Sequence, residues 1–239
     1  HSGPETAADA RTHFGIFSPQ VWKLFPRDQI INLNFWDYND VAPGYLAAAE
    51  IAAREPKVGV IVLEVARPDF PVVDRGRLAD SDILAASKGF YLIRDFDDSK
   101  PHQGYIVVQG SSSTNNLVSQ LDRIDEAGLN VRIISAVSEE LFNRQSEEYK
   151  NHIPPDSAYY DLMVVSTGTK RMWPVRDVGP LTGEYSLVSD WNDEWLTGGS
   201  QSEILQDAHL DSESIFSAIK KFANERKTRM SRQAKLISS

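Results

Sequence analysis

The sequence predicts an α/β protein built from two consecutive parallel-sheet modules, on three observations. Short β-branched runs bounded by proline or glycine recur at Val58–Val65, Tyr105–Val108, Asn130–Ser135 and Asp161–Val165. Such runs are expected where a strand is buried on both faces of a parallel sheet. Helical patterns alternate with them, which is the signature of layered α/β architecture. Residues 72–103 between the two sets are charged and turn-rich, as in Asp74-Arg-Gly-Arg77 and Asp95-Phe-Asp-Asp-Ser-Lys-Pro101, and read as a linker.

In order, Gly15–Leu24 reads as a short helix with Ser18 as cap and Pro19 at its first position. Gln29–Phe35 alternates as a strand. An alanine-rich helix follows over Asp40–Arg54, capped by Asn39 or Asp40 with Pro43 in its first turn. Val58–Val65 is then a buried parallel strand, and Gly89–Ile93 is β-prone and able to pack along the next unit. In the second module Tyr105–Val108 leads through a small-residue turn, Gly110–Thr114, into an amphipathic helix over Asn115–Ala127. Leu117, Leu121 and Ile124 share one face of that helix, and Gly128 stops it. After the strand Asn130–Ser135, Ser138 opens a short helix, and Asp161–Val165 and Tyr185–Val188 are further strands. Ser200–Leu210 and Ser212–Met230 close the chain as helices, the last with Ile215, Ile219 and Phe222 inward. Lys227, Arg229 and Arg232 form its solvated basic end, favourable for the helix dipole.

Composition narrows the function classes. A formal charge of −9 over 239 residues argues against nucleic acid or an anionic membrane as partner. There is no cysteine, so disulfides and thiolate metal sites are excluded. No apolar run approaches the roughly 20 residues of a membrane span, and a signal-peptide pattern is missing, so a cytoplasmic protein is the default.

The chemistry-bearing residues concentrate at the beginning. His1, Asp9 and His13 sit in a stretch with Gly, Pro, Ser and Thr and no hydrophobic period. Two imidazoles and a carboxylate there suit hydrogen bonding and proton transfer to a polyhydroxylated substrate. The same stretch is also what a poorly ordered terminus looks like. Arg67 directly follows a strand, where a guanidinium can fork onto a phosphate or form a surface ion pair. The Gly110–Thr114 turn before a helix has one glycine and no P-loop lysine, and reads as a structural βα turn. A chain opening at His1 inside such a segment is expected to be a piece of something longer.

His1, Asp9 and Thr12-His13, at these intervals, resemble the substrate loop of the transketolase family. The resemblance continues through Trp36–Asp40, where the family has a Pro-Ala-Asp-rich turn, and through Arg67-Pro-Asp-Phe-Pro71. Beyond the linker it takes in Val131–Ser135, Glu140–Tyr149 and Gly168–Trp173. It implies that residues 1–100 are the second half of a pyrimidine-binding domain with its linker, and 101–239 a transketolase C-terminal domain. It also implies roles: His1 and Arg67 hold the sugar phosphate, Asp9 binds a substrate hydroxyl, and His13 is catalytic beside the reacting carbons. The implied activity is transfer of a two-carbon ketol unit between sugar phosphates in a homodimer. Thiamine diphosphate with Mg or Ca supplies the carbanion chemistry.

The departures are Ala8 and Arg11, where the family has an acidic residue and proline, which bears on substrate preference. Nothing resembles the family's Gly-Asp-Gly diphosphate and metal segment or its cofactor-activating glutamate. No cofactor- or metal-binding residue is therefore expected in this chain, and activity requires the missing N-terminal portion or a separate subunit. Two other readings stay open. One is a related thiamine enzyme (a deoxyxylulose-phosphate synthase or the β part of a 2-oxoacid dehydrogenase). The other is a non-catalytic module for dimerisation or regulation.

Overall fold

Two short apolar runs form the first sheet. Strand β1 (Ile30–Asn34) pairs in parallel with β2 (Val60–Glu64), in register from Ile30 opposite Val60 to Asn34 opposite Glu64. The computed structural model from which this is read describes residues 3–4, 15–17, 21–26, 28–169, 183–190, 194 and 198–238. Helix α1 (Tyr38–Arg54) makes the crossover between the two strands. It begins earlier than its composition suggests because Asp37 is the cap. The Asp37 carboxylate accepts from the backbone N–H of Asn39 at 2.9 Å and of Val73 at 3.0 Å. Pro43 therefore lies past the first turn, where its missing N–H forfeits one intrahelical bond.

The expectation of a fully buried β2 needs correction. The strand is parallel, but Val60 and Leu63 are 47% and 45% exposed. Among the described residues it has a hydrogen-bonded neighbour on one edge only.

The second sheet has the order β3-β5-β4-β6-β7. Its members are β3 (Phe90–Arg94), β4 (Tyr105–Gln109), β5 (Arg132–Ala136), β6 (Leu162–Ser166) and β7 (Leu187–Val188). β3 runs antiparallel to β5, and the other pairings are parallel. The fold is thus α/β with mostly parallel sheets, and β3, from the stretch read as linker, is the antiparallel edge.

Helix α2 (Ser111–Val118) starts within the small-residue turn rather than after it. The Ser113 hydroxyl donates back to the Gln109 carbonyl at 2.5 Å, fastening the helix to the end of β4. Gly110, at φ +100°, makes the junction, and a Cβ there would stand 2.0 Å from Thr167 Oγ1. A break at Ser119-Gln120 separates α2 from α3 (Leu121–Glu126), while Leu117, Leu121 and Ile124 are buried as their spacing requires. Short helices α4 (Glu139–Phe142) and α5 (Glu147–His152) are capped by Ser138 and Ser146.

Helix α6 (Gln201–Asp207) starts with a Ser200/Glu203 capping box. The last helical stretch is two helices, α7 (Ser212–Asn224) and α8 (Arg226–Ile237), meeting at Glu225. Ile215, Ile219 and Phe222 are fully buried. Arg229 overturns its reading as part of a solvated end. It is 0% exposed, donates to Asp161 Oδ1 at 2.6 Å and to the Phe222 carbonyl at 2.7 Å, and stacks 3.8 Å from the Phe222 ring. The guanidinium stem packs with the core while its head is paired.

Candidate functional site

Of the four site residues read from the sequence, His1, Asp9 and His13 lie outside the described residues, as do the departures Ala8 and Arg11. Arg67 is described. It is exposed, three positions beyond the last residue of β2, at the carboxyl end where parallel α/β sheets place ligands. Gly3 and Gly15 exchange backbone hydrogen bonds of 3.3 and 3.1 Å. Trp22 Nε1 then donates to Glu64 Oε1, the last residue of β2, at 3.0 Å.

A shallow polar recess, open to solvent, lies beside this region, lined among others by Trp22, Lys23, Asn34, Gln109, Ser138 and Glu140. Its walls come from the carboxyl ends of β1 and β4 and from the turn after β5. Glu140 Oε2 accepts from the Asn32 backbone N–H and from the Ser138 hydroxyl, each at 3.2 Å. Burial pushes the Glu140 carboxyl above its ordinary range against those hydrogen bonds. Lys23 Nζ meets Glu139 Oε2 at 3.0 Å. Asn34 and Gln109 are 3% and 9% exposed, and their Nδ2 and Oε1 atoms have no hydrogen-bond partner among the described residues. Neither residue stood out in the sequence, yet a signal was there. Asn32 and Asn34 interrupt an otherwise apolar strand, and Gln109 ends another.

The recess belongs to a seam that joins the two sheets. Asn34 N–H donates to the Val137 carbonyl at 2.8 Å, Ser111 Oγ to the Phe35 carbonyl at 3.0 Å, and Asn115 Nδ2 to the Trp36 carbonyl at 2.8 Å. Beneath it lies a buried network that sequence reasoning also missed. Asp40, 0% exposed, pairs with Arg75 and accepts from Tyr91 Oη at 3.1 Å. Trp36 Nε1 and Arg75 Nη1 both donate to that same phenol oxygen, at 2.6 and 2.8 Å. Burial raises the Asp40 carboxyl to about 6 in spite of Arg75.

No family model matches the chain. It is 27% identical over 181 residues to Transketolase 7 of Craterostigma plantagineum, covering 75% of this chain and 25% of that protein. Against the chloroplastic transketolase of Zea mays it is 28% identical over 174 residues, 72% of this chain and 24% of the other. The fold superposes on transketolase from Leishmania mexicana with a TM-score of 0.69 at 17% identity, covering 95% of this chain and 30% of that one. A Pichia stipitis transketolase in complex with sedoheptulose 7-phosphate gives 0.68 at 21% identity, with 95% and 30% covered.

The chain is similar to transketolases. Its counterpart is the C-terminal portion of that family. It spans about a quarter of the length of the curated relatives it matches. Among the described residues of this transketolase-like chain, no group of three or more His, Cys, Asp or Glu could hold a metal ion. No described helix is long and apolar enough to cross a membrane.

Proposed function

We propose that this chain is the C-terminal portion of a thiamine-diphosphate-dependent enzyme of transketolase type, moving a two-carbon ketol unit between sugar phosphates. Residues 1–100 serve as the second half of a pyrimidine-binding domain with its linker, and 101–239 as the C-terminal domain, within a homodimer. The observation that carries this reading is Arg67, exposed just past the carboxyl end of a parallel strand in a chain whose relatives are transketolases. In this reading thiamine diphosphate and its divalent ion are held by residues outside this chain.

The roles of this chain's own residues follow from their chemistry. Arg67 and His1 bind the sugar phosphate, a planar guanidinium being suited to two phosphate oxygens at once. Asp9 accepts a hydrogen bond from a substrate hydroxyl. His13 moves a proton at a hydroxyl next to the carbons whose bond is broken or formed, which imidazole does well near neutral pH.

The test is kinetic and uses the intact assembly. Arg67→Ala raises KM for phosphorylated sugars by roughly 10- to 150-fold, as loss of a charged hydrogen bond of ~1.5–3 kcal/mol requires, and leaves unphosphorylated sugars nearly unaffected. His13→Ala lowers kcat by about 100-fold or more. Product analysis with xylulose 5-phosphate against pyruvate separates ketol transfer from synthase or oxoacid chemistry. Unchanged kinetics in both variants would sink the assignment and leave a non-catalytic module.

A further inference from the structure

We propose that the outer face of helix α1 is a self-association surface, on which a second copy of this chain packs antiparallel across a twofold axis. At 3.6 residues per turn, Tyr38, Ala42, Tyr45, Leu46, Ala49 and Ala53 fall within roughly 100° of the helix circumference. That arc lies away from Asp40, Gly44 and Ala48, which mark the buried side of the helix. Tyr38, Tyr45 and Leu46 are 80%, 45% and 65% exposed, and Ala42 and Ala53 are exposed as well. No charged residue falls in the arc. Glu50 and Arg54 border it and are paired with each other. An apolar stripe of this width is what a helix turns toward a core, and α1 carries this one on the side facing solvent.

The occupant follows from position and symmetry. The face points away from the first sheet, so strands added to the open edge of β2, and helices crossing over to them, would lie beside α1 and not on it. A separate surface has to cover the stripe. The stripe is complementary to itself, because its positions are symmetric about the midpoint between Tyr45 and Leu46. A twofold axis there sets Tyr38 opposite Ala53 of the second copy, Ala42 opposite Ala49, and Tyr45 opposite Leu46. Large side chains then meet small ones at both ends, and the alanines let the two helices approach closely. Glu50 falls opposite Val41, so no like charges meet on the stripe although the chain carries −9 overall. The exposed surface of the six side chains amounts to roughly 500 Å² per copy and ~1,000 Å² for a pair, the lower bound of a specific interface. A contact of that size makes a weak, reversible dimer. The inference does not rest on the ketol-transfer reading and is measured without activity.

Sedimentation velocity of the chain over a concentration series is expected to show a monomer–dimer equilibrium with Kd on the order of 10–100 μM. The dimer persists in about 1 M salt, since the contact is apolar. Leu46→Glu, at an exposed position, sets two carboxylates near the axis and weakens the dimer about tenfold or more. Tyr160→Glu, 53% exposed at the wild-type residue and off the stripe, leaves it unchanged. The chain has no cysteine, so register is read by cross-linking. Ala42→Cys and Ala49→Cys oxidise to a disulfide dimer when the two variants are mixed, and far less when either is alone. A chain that stays monomeric throughout the series overturns the proposal and leaves the stripe to a different protein. A dimer that folded Leu46→Glu does not weaken overturns it as well, since such a dimer uses another face. If that variant loses its fold by circular dichroism, the cross-linking decides, and equal yields from the mixture and from either variant alone overturn the proposal.

Discussion

Strands β2 and β6 are five-residue apolar runs of similar composition, Val-Ile-Val-Leu-Glu and Leu-Met-Val-Val-Ser, and they end in opposite surroundings. β6 lies between β4 and β7 with all of its residues buried. β2 is hydrogen-bonded among the described residues to β1 alone, and leaves Val60 and Leu63 about half exposed. The lesson is that an apolar β-branched run specifies a strand, whereas its burial depends on what flanks it. A contiguous exposed apolar strand is also where a soluble protein makes further contacts. That suits the reading of the first sheet as one part of a larger domain.

If the second sheet is the self-sufficient one, its polar anchor matters most. Asp161 is 6% exposed and holds both Arg226 and Arg229, the latter with no exposed surface. Asp161→Ala leaves Arg229 buried without its counter-charge and removes about 3–5 kcal/mol of stability, read from the urea midpoint. A loss below 1 kcal/mol would mean that the α8 end opens to solvent easily, and the contrast between the regions would weaken.

The network beside the seam, Asp40 with Arg75 and Tyr91, gives a prediction of distinct sign. Burial raises the Asp40 carboxyl from its ordinary 3.8 to about 6. Between those pH values the folded protein holds a proton that the unfolded chain has released, so stability falls as pH rises from about 4 to about 6. The part due to Asp40 amounts to ~3 kcal/mol. Other carboxyls contribute their own slopes, Glu55 being held below its usual range by Arg144 and so working in the opposite direction. The wild-type curve is therefore compared with that of Asp40→Asn, and the difference between them isolates the effect. A difference that grows in favour of wild type as pH rises would show that Arg75, not burial, governs the group.

The path from sequence to fold was legible where one rule acted alone. Period and β-branching located the strands, and Ile215, Ile219 and Phe222 announced the inner face of α7. It failed where two rules competed. Asp37, Asn39 and Asp40 are all acceptable caps, and only the reach of Asp37 to Val73 N–H, thirty-six residues away, decides among them. Arg229 follows the usual pattern of a basic residue near a helix C-terminus, and nothing local to α8 reveals an aspartate sixty-eight positions earlier. The candidate site divides in the same way. Arg67 is placed by its adjacency to a strand, a local feature. The recess needs Asn34, Gln109 and Glu140 from three separate elements, and no local pattern brings those together.

The comparison of the two strands is sharpened most directly by a matched pair of truncations. Val164, in the middle of β6, has no exposed surface, and Val164→Ala removes two buried methyl groups from a closed layer, for a loss of about 2 kcal/mol. Leu63, the fourth residue of β2, is 45% exposed. Leu63→Thr replaces leucine with a β-branched, strand-favouring side chain and changes the stability of this chain by less than about 0.5 kcal/mol. Both are read from denaturant midpoints of the chain by itself. The second effect is the smaller and the more informative. If Leu63→Thr is silent in this chain but costs 1 kcal/mol or more in a larger transketolase-like assembly, β2 is covered there, and the difference measures how far. If it costs as much as Val164→Ala already in the isolated chain, the strand is packed against a neighbour in solution, most simply a second copy. The two regions would then differ in partner and not in completeness.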